Sequence, residues 1–262
     1  MMRADLYLVD NGYVKSRTAA RSYIEKGHAV IDGAVVKKPS QDISDGEHTV
    51  EILEPDRYVS RGGLKLEGAL RAFSIDVHGL RAADIGASTG GFTDCLLQSG
   101  AARVYAIDSG RDQLDPDLML DERVVCMEGV NARYLTPDAL DGCVDLVVMD
   151  VSFISQTLIL PAISGLLCEN GVFVGLIKPQ FEAGRAALGK GGIVKNAKDR
   201  RAAVERVLDA AEREGLCLCG LIQSPIEGGD GNVEYLAYYI KNGQQSCVRQ
   251  SAMQSLFATG RK

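Results

Sequence analysis

The feature that most constrains the fold is a regular alternation of strand-like and helix-like segments that begins near Ala82. Short runs of valine, leucine and isoleucine recur between longer stretches of helical character, and this alternation favours a parallel α/β sheet. The predicted strands are Ala82–Ile85, Arg103–Ile107, Val124–Glu128, Val144–Met149, Val172–Ile177, Leu218–Ser224 and Val233–Ile240. We therefore expect a seven-stranded, mostly parallel sheet in the larger part of the chain.

The last two predicted strands differ from the others in how they are connected. The segment between them, Pro225–Asn232, is too short for a helical crossover, so the two strands are expected to pair antiparallel. An amphipathic helix is predicted before them over residues 198–214, and Gly215 ends it. The sheet is thus expected to finish in one antiparallel hairpin.

A smaller structural unit is predicted ahead of the sheet. Ser16 is a typical helix N-cap, Gly27 ends the helix that follows, and Asp32-Gly33 is a strong signal for a tight hairpin turn. The predicted strands here are Ala29–Ile31, Ala34–Lys37 and His48–Leu53. We expect a small α+β domain over residues 1–54, a linker over residues 55–63 and the α/β domain over residues 64–262.

The charges of the chain are segregated. The net charge of −6 is unfavourable for contact with nucleic acid, but two segments are strongly basic. In the small domain the basic residues are Lys15, Arg17, Arg21, Lys26, Lys37 and Lys38. In the large domain they are Arg185, Lys190, Lys195, Lys198, Arg200 and Arg201. Arg17 and Arg21 are expected to contact phosphate rather than to pair with acids at the surface.

The cysteines and apolar segments bear on compartment and partners. The seven cysteines include no C-x-x-C pair, and we expect reduced thiols rather than a metal site. The three histidines share no metal-ligand spacing. No signal peptide is evident, and the apolar stretches are too short to cross a bilayer. These features predict a cytoplasmic protein that binds no metal and no membrane, with no obligate protein partner evident.

A glycine-containing loop follows the first strand of the predicted sheet. Asp84 to Phe92 lies between a strand and a helix, and Asp108 ends the next strand, where an acid can hydrogen-bond ribose hydroxyls. Ser88 stands where a dinucleotide-binding loop has its second glycine, so the loop suits a phosphate-free ligand such as S-adenosylmethionine, whose positive charge Asp84 can attract. The predicted cofactor contacts are Asp84, Gly86, Ser88, Gly90, Gly91, Phe92, Asp108, Asn131 and Asp150.

Four charged residues occupy positions that converge on the same crevice. Asp150 and Lys178 end the fourth and fifth strands, and ligands bind outside such strand ends in open α/β sheets. Glu234 begins the last strand, which runs in the opposite direction and so enters from the same edge. Lys65 lies in a predicted helix ahead of the sheet. We expect Lys65, Asp150, Lys178 and Glu234 to form a catalytic set.

This set resembles the lysine–aspartate–lysine–glutamate tetrad of ribose 2′-O-methyltransferases of the FtsJ/RrmJ type. The first segment resembles the RNA-binding module named after small-subunit ribosomal protein four. Together they resemble the TlyA family. The matching stretches are Ser16–Arg21, Asp32-Gly33, Lys38–Ser40, Tyr58–Gly63, Asp150–Ile154, Lys178–Glu182 and Gly189–Gly192.

The resemblance implies a class I Rossmann-like fold and S-adenosylmethionine-dependent ribose methylation of ribosomal RNA, free or within ribosomal subunits. A ribose hydroxyl must lose its proton as it attacks the methyl group, and a lysine amine accepts a proton only in its neutral form. We expect Lys178 to be the base or a positioning group, with the charge of Lys65 favouring the neutral form of Lys178. RNA contacts are predicted for the basic residues of the small domain and for Arg61, Lys190, Lys195 and Arg200.

Three alternatives remain open from the sequence. A methyltransferase for a small molecule or a protein would leave the small domain and the basic segments without a role. A membrane-active haemolysin, a label that some members of the family carry, would need an amphipathic or spanning segment that the sequence does not suggest. An RNA-binding module on an inactive enzyme would not need four charged residues at strand ends.

Overall fold

The computed structural model describes residues 1–53, 57–229, 231–243 and 248–257. The chain divides into two compact units, Met1–Arg57 and Tyr58–Lys262. Residues 58–63, which the sequence assigned to a linker, belong to the second unit. Tyr58 is buried there, and the backbone N–H of Val59 donates a hydrogen bond to the Asp94 carboxylate at 2.8 Å.

The first unit is a pair of short helices packed with small sheets. Its elements are β1 (Met2–Arg3), α1 (Ala4–Asp10), α2 (Arg17–Glu25), β2 (Ala29–Ile31), β3 (Ala34–Val35), β4 (Asp42–Ile43) and β5 (Val50–Ile52). Strand β2 lies between β3 and β5, and β1 pairs with β4, all antiparallel. Buried Leu8, Ala20 and Ile24 join the helices to Ile31 of the sheet in one apolar core.

Two local predictions for this unit are confirmed. The Ser16 hydroxyl accepts a hydrogen bond from the backbone N–H of Ala19 at 3.2 Å, which satisfies an otherwise unpaired donor at the start of α2. Asp32 and Gly33 connect β2 to β3 with φ angles of 51° and 76°. Two consecutive positive φ values match the twist of a tight hairpin, and aspartate and glycine tolerate them best.

The second unit is built on one seven-stranded sheet. Its strands are β6 (Arg81–Ile85), β7 (Arg103–Asp108), β8 (Val124–Glu128), β9 (Val144–Met149), β10 (Leu167–Ile177), β11 (Leu216–Gln223) and β12 (Tyr235–Lys241). Its helices are α3 (Gly62–Phe73), α4 (Gly91–Gln98), α5 (Pro116–Met119), α6 (Leu160–Leu166), α7 (Pro179–Glu182), α8 (Ala197–Arg213) and α9 (Val248–Phe257).

The strand order is β11-β12-β10-β9-β6-β7-β8. Six strands run in one direction, and β12 runs in the opposite direction. The predicted sheet and its closing hairpin are thus confirmed. The main difference is at β10, which begins at Leu167 instead of Val172. Leu167 pairs with Val144, and a register shift separates that pair from the regular ladder that starts at Val172. The charged and glycine residues before Val172 concealed this early pairing in the sequence.

Successive residues of the central strands face two separate apolar layers. Ala83 and Met149 face one layer, whereas Ala82 and Val148 face the other. Helices cover both layers, so these strands are buried on both faces and consist almost entirely of apolar residues. Most of the charged residues described below lie at the ends of strands, whereas Asp84 lies within β6 and is fully buried.

The prediction that all cysteines are reduced thiols is wrong for two of them. Cys143 and Cys168 form a disulfide, with their Cα atoms 5.1 Å apart. The pairing of Val144 with Leu167 brings these two neighbours together at the start of β9 and β10. Sequence spacing could not reveal the contact, since it depends on the early start of β10. Among the described residues, Cys95, Cys126, Cys217 and Cys219 are free.

Candidate active site

A pocket of about 400 Å³ opens at the carboxyl ends of β6, β7 and β9. It lies at the sheet edge where open α/β folds bind ligands, and its volume is within the range of small-molecule sites. Its lining residues are Ile85, Gly86, Ser88, Ile107, Asp108, Ser109, Gln113, Val130, Asn131, Ala132, Asp150, Val151, Ser152, Phe153, Ile154 and Ile159. The predicted cofactor contacts Gly86, Ser88, Asp108, Asn131 and Asp150 are therefore brought together.

The loop after β6 follows a path that only a residue without a side chain permits. Gly86 has a φ of 84°, and a Cβ atom there would lie 2.6 Å from the carbonyl oxygen of Asp150. The next turn passes through Ser88, whose φ of 48° is also positive. Glycine thus permits the close approach of this loop to the end of β9.

Two carboxylates fix the loops around the pocket. Asp108 accepts hydrogen bonds from the backbone N–H groups of Ser88 at 2.8 Å and Gly110 at 2.7 Å. Glu128, at the end of β8, accepts from three consecutive N–H groups, those of Asp112, Gln113 and Leu114. These bonds lower the pKa of Glu128. Glu128 was not predicted from the sequence, although it ends the strand next to that of Asp108.

Asp84 is buried and only partly satisfied. One carboxylate oxygen accepts a hydrogen bond from the Thr93 hydroxyl at 2.7 Å. The other oxygen has no hydrogen-bond partner among the residues that the structure describes. Burial, chiefly, and the nearby charges of Asp150 and Asp108 raise the pKa of Asp84 to about 7. A buried acid left in this state is suited to a cationic group close by.

Four predicted cofactor residues are not among those that line the pocket: the buried Asp84 described above, Gly90, Gly91 and Phe92. Phe92 is 3% exposed and packs in the apolar layer beneath α4. Gly90 and Gly91 start that helix, where added Cβ atoms would lie 2.3 Å from Leu118 and 2.1 Å from the Ser60 hydroxyl. Their role in the structure is to let the loop and α4 pack closely, which the glycine pattern alone could not separate from ligand contact.

The four predicted catalytic residues form two lysine–carboxylate pairs. The Lys178 amine lies 2.5 Å from the Asp150 carboxylate and donates to the Ser152 hydroxyl at 2.9 Å. The Lys65 amine donates to Glu234 at 2.6 Å, and the side chains of this pair are only 9% and 2% exposed. Each lysine thus has its own carboxylate. The sequence had instead suggested that the charge of Lys65 acts on Lys178.

Sheet register brings the two pairs to the same edge. Ile177, the last residue of β10, is paired with Tyr235, the first residue of β12. Lys178 follows Ile177 and Glu234 precedes Tyr235, so these residues lie at neighbouring positions on adjacent strands. Asp150 follows β9, the other neighbour of β10. Helix α3 supplies Lys65. The topology therefore assembles all four residues next to the pocket that Asp150 lines.

Two further residues line the pocket, and only one of them was predicted from the sequence. Asn131 lines the pocket, as predicted, and its side chain also accepts from the backbone N–H of Arg133 at 3.1 Å. Phe153 is 92% exposed, has a φ of 64°, and its ring centroid lies 5.2 Å from that of Phe181. Left-handed backbone and exposure are unusual for phenylalanine, and neither can be read from the sequence.

The predicted RNA-contacting residues fall into two groups. Arg17, Arg21 and Arg200 are engaged within the protein: the first two contact buried Asp5, and Arg200 donates to the carbonyl oxygens of Val194 and Lys195. Arg17 and Arg21 nevertheless remain half exposed. The remaining predicted contacts are surface residues, namely Lys15, Lys26, Lys37, Lys38, Arg61, Lys190 and Lys195.

The strand order, with β12 alone reversed, defines a Rossmann-like α/β fold. A solved S-adenosylmethionine-dependent methyltransferase from Mesorhizobium loti superposes with a TM-score of 0.50 over 66% of this chain and 96% of that one, at 17% identity. At that identity the likeness concerns the fold alone. The family model of FtsJ-like methyltransferases matches residues 58–241, and the family model of the S4 domain matches residues 2–48. The chain belongs to the FtsJ-like methyltransferase family and carries an S4 domain ahead of the enzyme domain.

Similar proteins match this chain over most of its length and most of their own. The 16S/23S rRNA (cytidine-2′-O)-methyltransferase TlyA of Mycobacterium tuberculosis is 45% identical over 90% of this chain and 88% of its own. Hemolysin A of Brachyspira hyodysenteriae is 41% identical over 91% of this chain and 100% of its own. A solved structure from Streptococcus thermophilus, named as a hemolysin, is 42% identical with a TM-score of 0.78, covering 97% of this chain and 94% of that one.

Proposed function

We propose that this protein transfers a methyl group from S-adenosylmethionine to a ribose 2′-hydroxyl of ribosomal RNA. The observation that carries the proposal is the convergence of Lys65, Asp150, Lys178 and Glu234, as two short ion pairs, beside a pocket at the carboxyl edge of the sheet. The rRNA 2′-O-methyltransferase activity in the name of a 45% identical relative supports the substrate. The S4 domain supports an RNA partner, free rRNA or a ribosomal subunit, which would place the protein in the cytoplasm.

The residues around the pocket fit S-adenosylmethionine. Gly86 lets the loop pass against the backbone of Asp150, which lines the pocket, and one buried oxygen of Asp84 has no partner among the described residues. Asp108 and Asn131 offer acceptors for hydroxyl and amine donors, and among the described residues no lysine or arginine lines the pocket to bind a phosphate. When bound, the cofactor would supply an electrophilic methyl group.

The lysine pairs suggest how the acceptor hydroxyl is activated. Lys178 is held from two sides by Asp150 and Ser152, which fixes the direction of its amine. In the proposed step Lys178 would first pass its own proton to Asp150 or to solvent. Its neutral amine would then accept the hydroxyl proton while the hydroxyl oxygen bonds the methyl carbon and the carbon–sulfur bond breaks. Lys65 and Glu234 form the second, almost fully buried pair at this edge.

The hemolysin name of some relatives suggests a second candidate, action on membranes. Within residues 1–53, 57–229, 231–243 and 248–257, no helix is both long and apolar enough to cross a bilayer. The catalytic set has no role in that reading. A methyltransferase acting on a small molecule would account for the pocket and leave the S4 domain without a function.

Mapping of ribose methylation on ribosomal RNA tests the proposal. RNA from cells with and without this gene is compared nucleotide by nucleotide, and the deletion strain is complemented with wild type or with Lys178→Met. We expect at least one 2′-O-methylated position to disappear on deletion and to return only with wild type. An unchanged methylation map would overturn the proposal, and erythrocyte lysis by the purified protein would then favour the membrane reading.

A further inference from the structure

The first unit contains a buried acid surrounded by an excess of arginine. Asp5, on α1, has no exposed surface, and both of its oxygens accept hydrogen bonds from guanidinium groups. Arg3 binds it through two nitrogens at 2.9 and 3.0 Å. Arg17 and Arg21, from α2, reach the same carboxylate at 3.3 and 3.4 Å. We refer to Asp5, Arg3, Arg17 and Arg21 as the arginine cluster.

Neutralising the buried charge does not require three arginines. The two-pronged contact with Arg3 already supplies the geometry that a carboxylate prefers. The cluster instead carries two positive charges in excess, or one if Asp42, the strand partner of Arg3, is counted. These guanidinium groups hold the pKa of Asp5 far below its usual range, so the carboxylate stays charged in all ordinary buffers.

The three arginines keep donors available at the surface. Their side chains are 42%, 51% and 52% exposed for Arg3, Arg17 and Arg21, although all three bind the same buried anchor. Each guanidinium has five N–H donors and uses only one or two of them on Asp5. An anion at this surface would meet guanidinium groups already gathered and oriented, which reduces the entropy lost when flexible side chains are ordered on binding.

We propose that Asp5 is a positioning residue for RNA binding: it gathers Arg3, Arg17 and Arg21 into one site for a backbone phosphate. The inference rests on the proposed function, because it assumes that the first unit binds RNA. It adds that a buried negative charge strengthens the binding of a negatively charged partner. A general electrostatic argument gives the opposite sign, since loss of an acid makes the unit more basic.

Asp5→Asn tests this sign in the full-length protein. Asparagine keeps the size of the side chain, but its NH₂ group would point donors at the guanidinium donors. We expect the affinity for deproteinised ribosomal RNA to fall on the order of tenfold, the factor associated with losing hydrogen bonds to a charged group. The dependence of log affinity on log salt should become shallower by about one unit. The matched control is Asp10→Asn, the same exchange at an exposed position of the same helix, which should bind RNA as well as wild type or slightly better.

A second variant guards against misfolding of Asp5→Asn, which circular dichroism and thermal melting would detect. Arg17→Lys keeps the charge but not the planar fork, and we expect it to lower RNA affinity by about three- to tenfold. If Asp5→Asn and Asp10→Asn bind RNA equally well, or if Arg17→Lys binds like wild type, the positioning role is refuted. If wild type itself shows no salt-dependent binding to ribosomal RNA, the proposed function fails instead.

Discussion

Two aspartates of the same exposure, one in each unit, are in opposite electrostatic states. Asp5 and Asp84 are both completely buried. Asp5 is bound by three arginines, and its pKa lies far below the usual range. Only one oxygen of Asp84 accepts a hydrogen bond from a described residue, Thr93, and burial raises the pKa of Asp84 to about 7. Burial alone therefore does not determine the charge of a buried carboxyl group; the partners that the fold supplies decide it.

The difference indicates what each unit leaves to a ligand. The three arginines around Asp5 carry more positive charge than one carboxylate neutralises, so the surface of the first unit suits an anion. One oxygen of Asp84 has no hydrogen-bond partner among the described residues, so the interior of the second unit suits a cation. An RNA phosphate and a sulfonium cofactor with an ammonium group have these two charges. The two units thus complement the two substrates of the proposed reaction separately.

The largest expected effect separates catalysis from both binding functions. Lys178→Met should lower the rate of methyl transfer by about 10²–10⁴, the usual contribution of a positioned base, because no other amine is held by Asp150 and Ser152. Cofactor affinity should hardly change. Lys178→Arg should be nearly as slow, since guanidinium keeps its proton at neutral pH. Single-turnover methylation of ribosomal RNA measures both rates, and an arginine variant with most of the wild-type rate would rule out Lys178 as the base.

The pH dependence of stability should differ between the two aspartates. The raised pKa of Asp84 means that the folded state binds an extra proton between pH of about 4 and 7, so the free energy of unfolding falls as the pH rises through that window, by about 4 kcal/mol. The lowered pKa of Asp5 has the opposite sign, and its stabilisation is lost only in stronger acid.

Urea unfolding of wild type, Asp84→Asn and Asp5→Asn from pH 4.5 to 7.5 measures this contrast. Stability relative to Asp84→Asn should decline with pH, whereas stability relative to Asp5→Asn should be flat. If the difference in free energy of unfolding between wild type and Asp84→Asn is also independent of pH, Asp84 ionises normally. The two aspartates would then not differ in the way described above.

The smallest expected effect concerns cofactor affinity. Asp84→Asn should weaken S-adenosylmethionine binding by about 1.5–3 kcal/mol, the range for a hydrogen bond to a charged group. Asp5→Asn should leave this affinity unchanged, because Asp5 belongs to the other unit. Isothermal titration calorimetry with each variant provides the comparison. Equal affinities for wild type and Asp84→Asn would exclude the cationic part of the cofactor as the partner of Asp84.

The sequence predicted the sheet well because its signals are local. Alternating apolar runs located all seven strands, and the length of the Pro225–Asn232 connection was enough to predict the antiparallel hairpin. The positions of Asp150, Lys178 and Glu234 followed from the rule that ligands bind at strand ends. Residues at the end of a strand can be assigned to an edge without knowledge of their contacts.

The features that the sequence did not reveal depend on contacts between distant segments. The contacts of Arg17 and Arg21 with Asp5 require the packing of α1 against α2. From the sequence alone, both arginines were expected to contact phosphate. The two lysine–carboxylate pairs depend on which carboxylate each amine reaches across the edge. The disulfide between Cys143 and Cys168 depends on a five-residue extension of β10 that periodicity does not show.

The position of β12 within the sheet sets a condition on biosynthesis. This strand is the last in the chain, but it lies between β10 and β11 and carries Glu234 to a partner, Lys65, that is 169 residues earlier. While a ribosome is still translating the segment around Tyr235, the edge of β10 has no neighbour and the amine of Lys65 has no carboxylate. The proposed catalytic set therefore cannot form until β12 has left the exit tunnel and inserted between β10 and β11.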